Sequence, residues 1–199
     1  MTDAPGLLER NRRAARAEVA RVGVSLFLEQ GFDATTMDDV AATAGVSRRT
    51  LFRYFGSKEE VVLGHLGGLG ADLAAAVRAQ SADVDVWDAL VVAFASVLPS
   101  ALAEDEGAAR ALASLVDSTP ALRAAHAEKH RGWVDALTPA VAERLTGSPD
   151  PHLTARAVTG TVLACLDAAT HEWLCSDAAP RRDVHSLTLA ALAAVRGAR

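Results

Sequence analysis

Apolar residues recur along this chain at spacings of three and four, the period of helices that bury one face. From Leu7 to Gln30 the pattern predicts one long helix with Val19, Val22, Gly23 and Leu26 turned inward. Gly31 ends it, and Phe32 just beyond can fold back onto the last turn, the contact that accompanies a glycine cap. Met37, Val40, Ala41 and Ala44 then stand at i, i+3, i+4 and i+7 of a short helix, with Thr36 as N-cap and Asp39 as its capping-box partner. Gly45 stops this helix, because glycine takes the left-handed angle of a sharp turn without a steric penalty. Ser47 caps the next helix, in which Leu51 and Phe55 face the core while Arg48, Arg49, Thr50 and Arg53 lie off that face. Two short helices on a glycine hinge, the second carrying arginines at its start, read as a helix-turn-helix whose second helix, Ser47 to Tyr54, meets DNA.

The pattern continues as helices to the end. Ser57-Lys58-Glu59-Glu60 is a second capping box ahead of Val61-Val62-Leu63. The helix it starts carries Leu66, Leu69 and Leu73 but also Gly64, Gly67, Gly68 and Gly70, so it is predicted to bend or fray around 67–70. Those glycines make either a flexible connector between two domains or a site of close packing. Further helices are predicted over Val86–Ala103, Glu106–Asp117, Pro120–Leu145, Pro151–Cys175 and Val184–Arg196, with Thr119 and Asp150 each preceding a proline at the first helical position. Pro139 should kink the third of these, and Pro180 separates the last two. No run alternates with the period of a strand, so the fold class is all-α: residues 1–56 a three-helix DNA-binding domain, residues 57–199 a helical bundle for ligand binding and dimerisation.

Composition agrees: of 199 residues 50% are apolar and only 5% aromatic, rich in Ala, Leu, Val and Arg. The formal charge of −5 would argue against nucleic acid were it spread evenly. It is not, because residues 1–60 hold nine basic and nine acidic side chains, and the acidic excess falls wholly on the remainder. Bases cluster at Arg10, Arg12, Arg13 and Arg16 and again at Arg48, Arg49, Arg53 and Lys58, as phosphate contact requires. The basic and acidic N-terminus does not read as a signal peptide, and the nearly uncharged Ala89–Ala103 is too short to span a bilayer, so a cytoplasmic location is expected. Cys165 and Cys175 match no zinc spacing, and a buried free thiol is preferred to a bridge.

His126 and His130, four apart on one helix face, could hold a metal, but HAEKH lacks the glutamate of a metalloprotease and a polar helix face is the preferred reading. No metal site and no cofactor are expected, and no nucleophile elbow, P-loop or catalytic triad points to an enzyme. Trp87, Phe94, Leu112, Leu115, Trp133 and Leu137 fall on apolar stripes and are the candidate ligand-binding residues, core packing being the competing role for each. His171 and Trp173 could face a pocket or a dimer seam.

The stretch Val24–Leu63 resembles the TetR family of bacterial transcriptional regulators, through Leu26-Phe27 before Gly31-Phe32, Thr35-Thr36, Val40-Ala41, Ala44-Gly45-Val46-Ser47, Thr50-Leu51-Phe52, Tyr54-Phe55 and Ser57-Lys58-Glu59. The resemblance implies a homodimeric repressor that joins through the helices near 151–175 and 184–196, binds a palindromic operator, and releases it when a small molecule enters the larger domain. It also implies phosphate contacts at Thr36, Tyr54 and Lys58 and a groove-facing set of Ser47, Arg48, Arg49, Thr50 and Phe52. Phe52 departs from the tyrosine common there: it loses a hydroxyl but can still touch a thymine methyl. RRTLFRYF with SKEE, together with Ser118–Arg123 and Glu128–His130, is similar to a subset of high-GC bacterial members that resembles acyl-CoA-responsive regulators, which points to a lipophilic or acyl-CoA effector. A helical ligand carrier or scaffold without an operator, or an activator, are the alternatives.

Overall fold

The computed structural model describes residues 6–97, 106–176 and 182–197. All regular structure among them is helical: α1 (Leu7–Gln30), α2 (Met37–Thr43), α3 (Arg48–Tyr54), α4 (Lys58–Leu63), a 3-10 turn (Gly64–Leu66), α5 (Leu69–Ala79), α6 (Val86–Val97), α7 (Glu106–Ser118), α8 (Pro120–Ala142), α9 (Pro151–Cys175) and α10 (Val184–Gly197). The predicted continuation of α6 to Ala103, and Pro180, lie outside the described residues. The chain forms two compact units, the described residues up to His65 with Leu115–Ala125, and Leu66–Ser114 with His126 onward.

In the first unit the helices pack around one spot where α1 has no side chain. A Cβ on Gly23 would lie 2.5 Å from Val61 Cγ1 of α4 and 3.2 Å from Val40 Cγ1 of α2, so the hydrogen of glycine lets three helices converge. Val19, Leu26 and Phe27 of α1, Val40, Leu51, Phe55, Val61 and Val62 complete this core. Val22, expected inward, is only half-buried, and Phe27 takes the interior position instead. Gly31 leaves α1 at φ +90°, and the Phe32 ring returns to 5.1 Å from that of Phe27.

The helix expected to run from Ser57 past Leu73 is divided. Six residues of α4 give way to the 3-10 turn at Gly64, and α5 begins at Leu69, after Gly67-Gly68. Lys58–Ala79 is long and apolar enough to cross a membrane by length and composition, yet it is broken there, and more than half of its most apolar window is buried inside the protein. Gly70 is the close-packing glycine, since a Cβ there would lie 3.1–3.2 Å from Trp133 and Ala136 of α8.

The second unit buries Leu69, Leu73 and Val77 of α5, Leu90 and Phe94 of α6, Trp133 and Leu137 of α8, and one face of α9. Arg144, just after α8, donates to the carbonyls of Val77, Gln80, Ser81 and Val84, closing the end of α5 and the loop into α6 with a single guanidinium. Asp150 caps α9 by accepting from Leu153 N–H at 3.0 Å, with Pro151 at the first helical position. α8 keeps Pro139 inside the helix and ends at Ala142, three residues before the expected Leu145. Cys165 is buried and its thiol pKa is raised by burial, whereas Cys175, expected in apolar surroundings, is exposed beside His171 because it ends α9.

Gly23→Ala should lower stability by about 1–2 kcal/mol, overpacking outweighing the helix-propensity gain of alanine. Gly132→Ala, where a Cβ meets nothing within 4 Å, should raise it by up to about 1 kcal/mol; urea unfolding of both variants checks the contrast.

Candidate nucleic-acid interface

The hinge between α2 and α3 is built by backbone hydrogen bonds. Gly45 has φ +66°; its N–H donates to Ala42 O, and Val46 N–H reaches back to Ala41 O at 3.0 Å, the paired bonds of a Schellman stop. Both helices have their expected caps. Thr36 Oγ1 accepts from Asp39 N–H at 3.2 Å and donates to Asp39 Oδ2 at 2.6 Å, while Thr36 N–H donates to the same carboxylate at 2.9 Å. These bonds hold the Asp39 carboxyl below the usual aspartate range. Ser47 Oγ accepts from Thr50 N–H at 3.2 Å and is hydrogen-bonded to Thr50 Oγ1 at 2.9 Å.

Leu51 and Phe55 anchor α3 in the core, so its other faces are left outside. Ser47, Arg48, Arg49 and Phe52 are exposed; Thr50 and Tyr54 are half-buried. The Phe52 ring is 44% exposed, an unusual surface position for a side chain with no polar atom. Arg48 lies 3.3 Å from Asp38 Oδ2 and 5.6 Å from the Phe52 ring centre, and Arg53 lies over Tyr54. The Arg49 side chain has no hydrogen bond, ion pair or ring contact among the described residues.

Lys58 is more committed than its sequence position implied. Its Nζ donates to Phe32 O at 2.7 Å and Thr35 O at 3.0 Å and sits 4.5 Å from the Phe32 ring centre, so it bonds neither Glu59 nor Glu60. One of its three N–H groups remains for another acceptor. Ser57 caps α4 by accepting from Glu60 N–H, and Glu60 reaches back to Gly56 N–H, one residue before the usual box position. Of the first basic cluster, Arg16 turns inward, 5.0 Å from the Phe55 ring centre.

The six apolar candidates of the larger region do not form one group. Phe94, Trp133 and Leu137 are buried, Trp87 and Leu112 are half-buried, and Leu115 falls in the other compact unit. An open concavity is lined by none of them but by Glu106, Gly107, Arg110 and Asp183. There Arg110 donates to Leu174 O at 2.6 Å and lies over the buried Trp173, a residue the sequence left between pocket and seam; His171 is exposed.

A tight glycine hinge, a short basic helix exposed along one side and a core that leaves its arginines outside define a helix-turn-helix DNA-binding protein. Residues 14–64 match the model described as bacterial regulatory proteins, tetR family, and residues 84–197 match the MftR C-terminal domain. The chain is 30% identical over 174 residues to the HTH-type transcriptional regulator TcmR of Streptomyces glaucescens, covering 85% of this chain and 77% of that one. It is 28% identical over 166 residues to the MftR regulator of Mycobacterium tuberculosis, 83% and 82% of the two chains. Its fold is similar to that of FadR from Bacillus subtilis, solved with stearoyl-CoA, at a TM-score of 0.60 and 19% identity over 92% of this chain and 98% of that one. The chain therefore belongs to the TetR family and is a transcriptional regulator.

Lys58→Met keeps the aliphatic stem and removes both bonds to the 32–35 loop; each charged hydrogen bond contributes about 1.5–3 kcal/mol, and the midpoint of thermal unfolding should fall accordingly. Asp39 should titrate below the ordinary aspartate value of about 3.9 in carbon-detected NMR, and Thr36→Val, which removes the hydroxyl donor but keeps the backbone N–H, should raise it only part of the way back. Because the folded pKa is the lower one, the stabilisation is present above the unfolded pKa and lost as pH falls through the folded one.

Proposed function

We propose that the protein is a dimeric repressor that reads a palindromic operator with α3 of each protomer and is released by a lipophilic effector. The observation that carries the DNA-reading part is the state of α3: its capping and core residues are engaged within the head, while Arg49 is exposed and uncommitted. An arginine so placed at the start of a recognition helix can pair with guanine O6 and N7 in the major groove, and the exposed Phe52 ring suits a thymine methyl. Arg48 is steadied by Asp38 and Phe52 and is the less free of the two. Thr36, Ser47, Thr50, Tyr54 and the third N–H of Lys58 are assigned to the phosphates and groove edge around this contact.

Dimerisation through α9 and α10 is supported by their exposed apolar side chains, Leu153 at 63%, Val195 at 46% and Leu189 at 36%, which a second copy would cover. Trp87, Phe94, Leu112, Trp133 and Leu137, which share one compact unit, stay assigned to the effector site and Leu115 does not; the site's lipophilic or acyl-CoA ligand rests on the residues Ser118–Arg123 and Glu128–His130. Release is a shift of population: the effector must bind the DNA-incompetent arrangement more tightly than the competent one, since equal affinity moves nothing.

The full chain should retard DNA from upstream of its own coding sequence, and long-chain acyl-CoAs should release it. Arg49→Ala should cost about 1–3 kcal/mol of operator affinity and relax preference at one base position per half-site. Unchanged affinity and specificity in that variant would remove α3 from the reading role.

A further inference from the structure

His126 and His130 are one helical turn apart on α8, and their ring centres are 4.1 Å apart. What the sequence could not show is the third group, Asp167 of α9, whose Oδ1 lies 3.2 Å from His130 Nδ1. One ring nitrogen from each histidine and a carboxylate oxygen of Asp167 all lie within 4.8 Å of one another. Around an ion with bonds of about 2.0–2.2 Å, tetrahedral ligands stand about 3.3–3.6 Å apart, so the His130–Asp167 spacing of 3.2 Å is close to what an ion needs. The remaining spacings are no longer than 4.8 Å, so the half-buried His126 would have to rotate to join the same ion.

We propose that His126, His130 and Asp167 form a divalent transition-metal site of the Zn2+ class. The ligand set decides the class: two imidazoles favour Zn2+, Co2+ or Ni2+ over Mg2+ and Ca2+, which take oxygen ligands. Three protein ligands leave a fourth position for water or for a donor atom of a small molecule. The support behind the site is already built. His130 is 8% exposed and its ring lies 4.9 Å from that of Trp133, whose indole N–H donates to Leu66 O at 3.1 Å.

The test is Co2+ titration of the untagged, metal-free full-length protein, read by visible ligand-field absorption, with His126→Gln and Asp167→Asn as site variants. His130 is left intact because it is packed on Trp133. The double variant His171→Gln, Cys175→Ser removes the other nearby donor pair, in which Sγ and Nε2 are 3.7 Å apart. The expected result is one Co2+ per chain with low-symmetry ligand-field bands, binding weakened at least about tenfold in each site variant and unchanged in the double variant. Hyperfine-shifted imidazole protons of two histidines in the wild-type complex report the same site without any substitution. No saturable binding, binding unaffected by His126→Gln and Asp167→Asn, or binding lost only with His171 and Cys175 would overturn the proposal.

Discussion

The DNA-reading head depends on one ammonium group. Lys58 Nζ holds the carbonyls of Phe32 and Thr35 while lying over the Phe32 ring, and so ties the first residue of α4 to the loop between α1 and α2. With that end fixed, Val61 on the next turn and Val40 both occupy the space beside Gly23. Phe55, just upstream, is pinned under Arg16 and buried with Leu51. A charge placed here satisfies two backbone acceptors that would otherwise be left in a part-buried turn, where an unmade hydrogen bond costs more than a made one contributes. The outward side chains of α3 are then unnecessary for folding and available to a partner.

Charge is divided along the same line. The acidic excess of the chain belongs to the larger region, and the head is neutral overall but not uniform. Its arginines have separate duties: Arg16 packs on Phe55, Arg53 on Tyr54, and Arg48 is shared between Asp38 and Phe52. Arg49 has no such duty. A planar donor fork that gives up no internal bond on docking is well suited to base recognition, because no interaction within the protein has to be broken before the one with DNA can form.

Features encoded within a few residues were legible in the sequence. The Thr36, Ser47, Ser57 and Asp150 caps, the Gly31 and Gly45 stops and the return of Phe32 onto Phe27 all join residues no more than five apart in the chain, so spacing and residue type suffice to predict them. Features that join distant residues were not legible. Nothing near Lys58 announces the Phe32 and Thr35 carbonyls, more than twenty residues away, nor does Arg144 announce a loop sixty residues earlier. Asp167 beside His130 belongs to the same class. The glycines at 64–70 signalled a break but not its division of labour, in which Gly64 opens the 3-10 turn and Gly70 admits Trp133. The apolar candidates for the effector site could not be sorted, because a stripe that packs a core and a stripe that lines a pocket share one period.

That α3 reads bases in the major groove is tested most directly by methylation protection on a selected operator. Dimethyl sulfate modifies guanine at N7 in the major groove and adenine at N3 in the minor groove. The predicted result is protection of guanine N7 at symmetry-related positions in two half-sites, with one guanine in each half exposed again in Arg49→Ala. Protection confined to adenine N3, or a guanine pattern that Arg49→Ala leaves untouched, would contradict it.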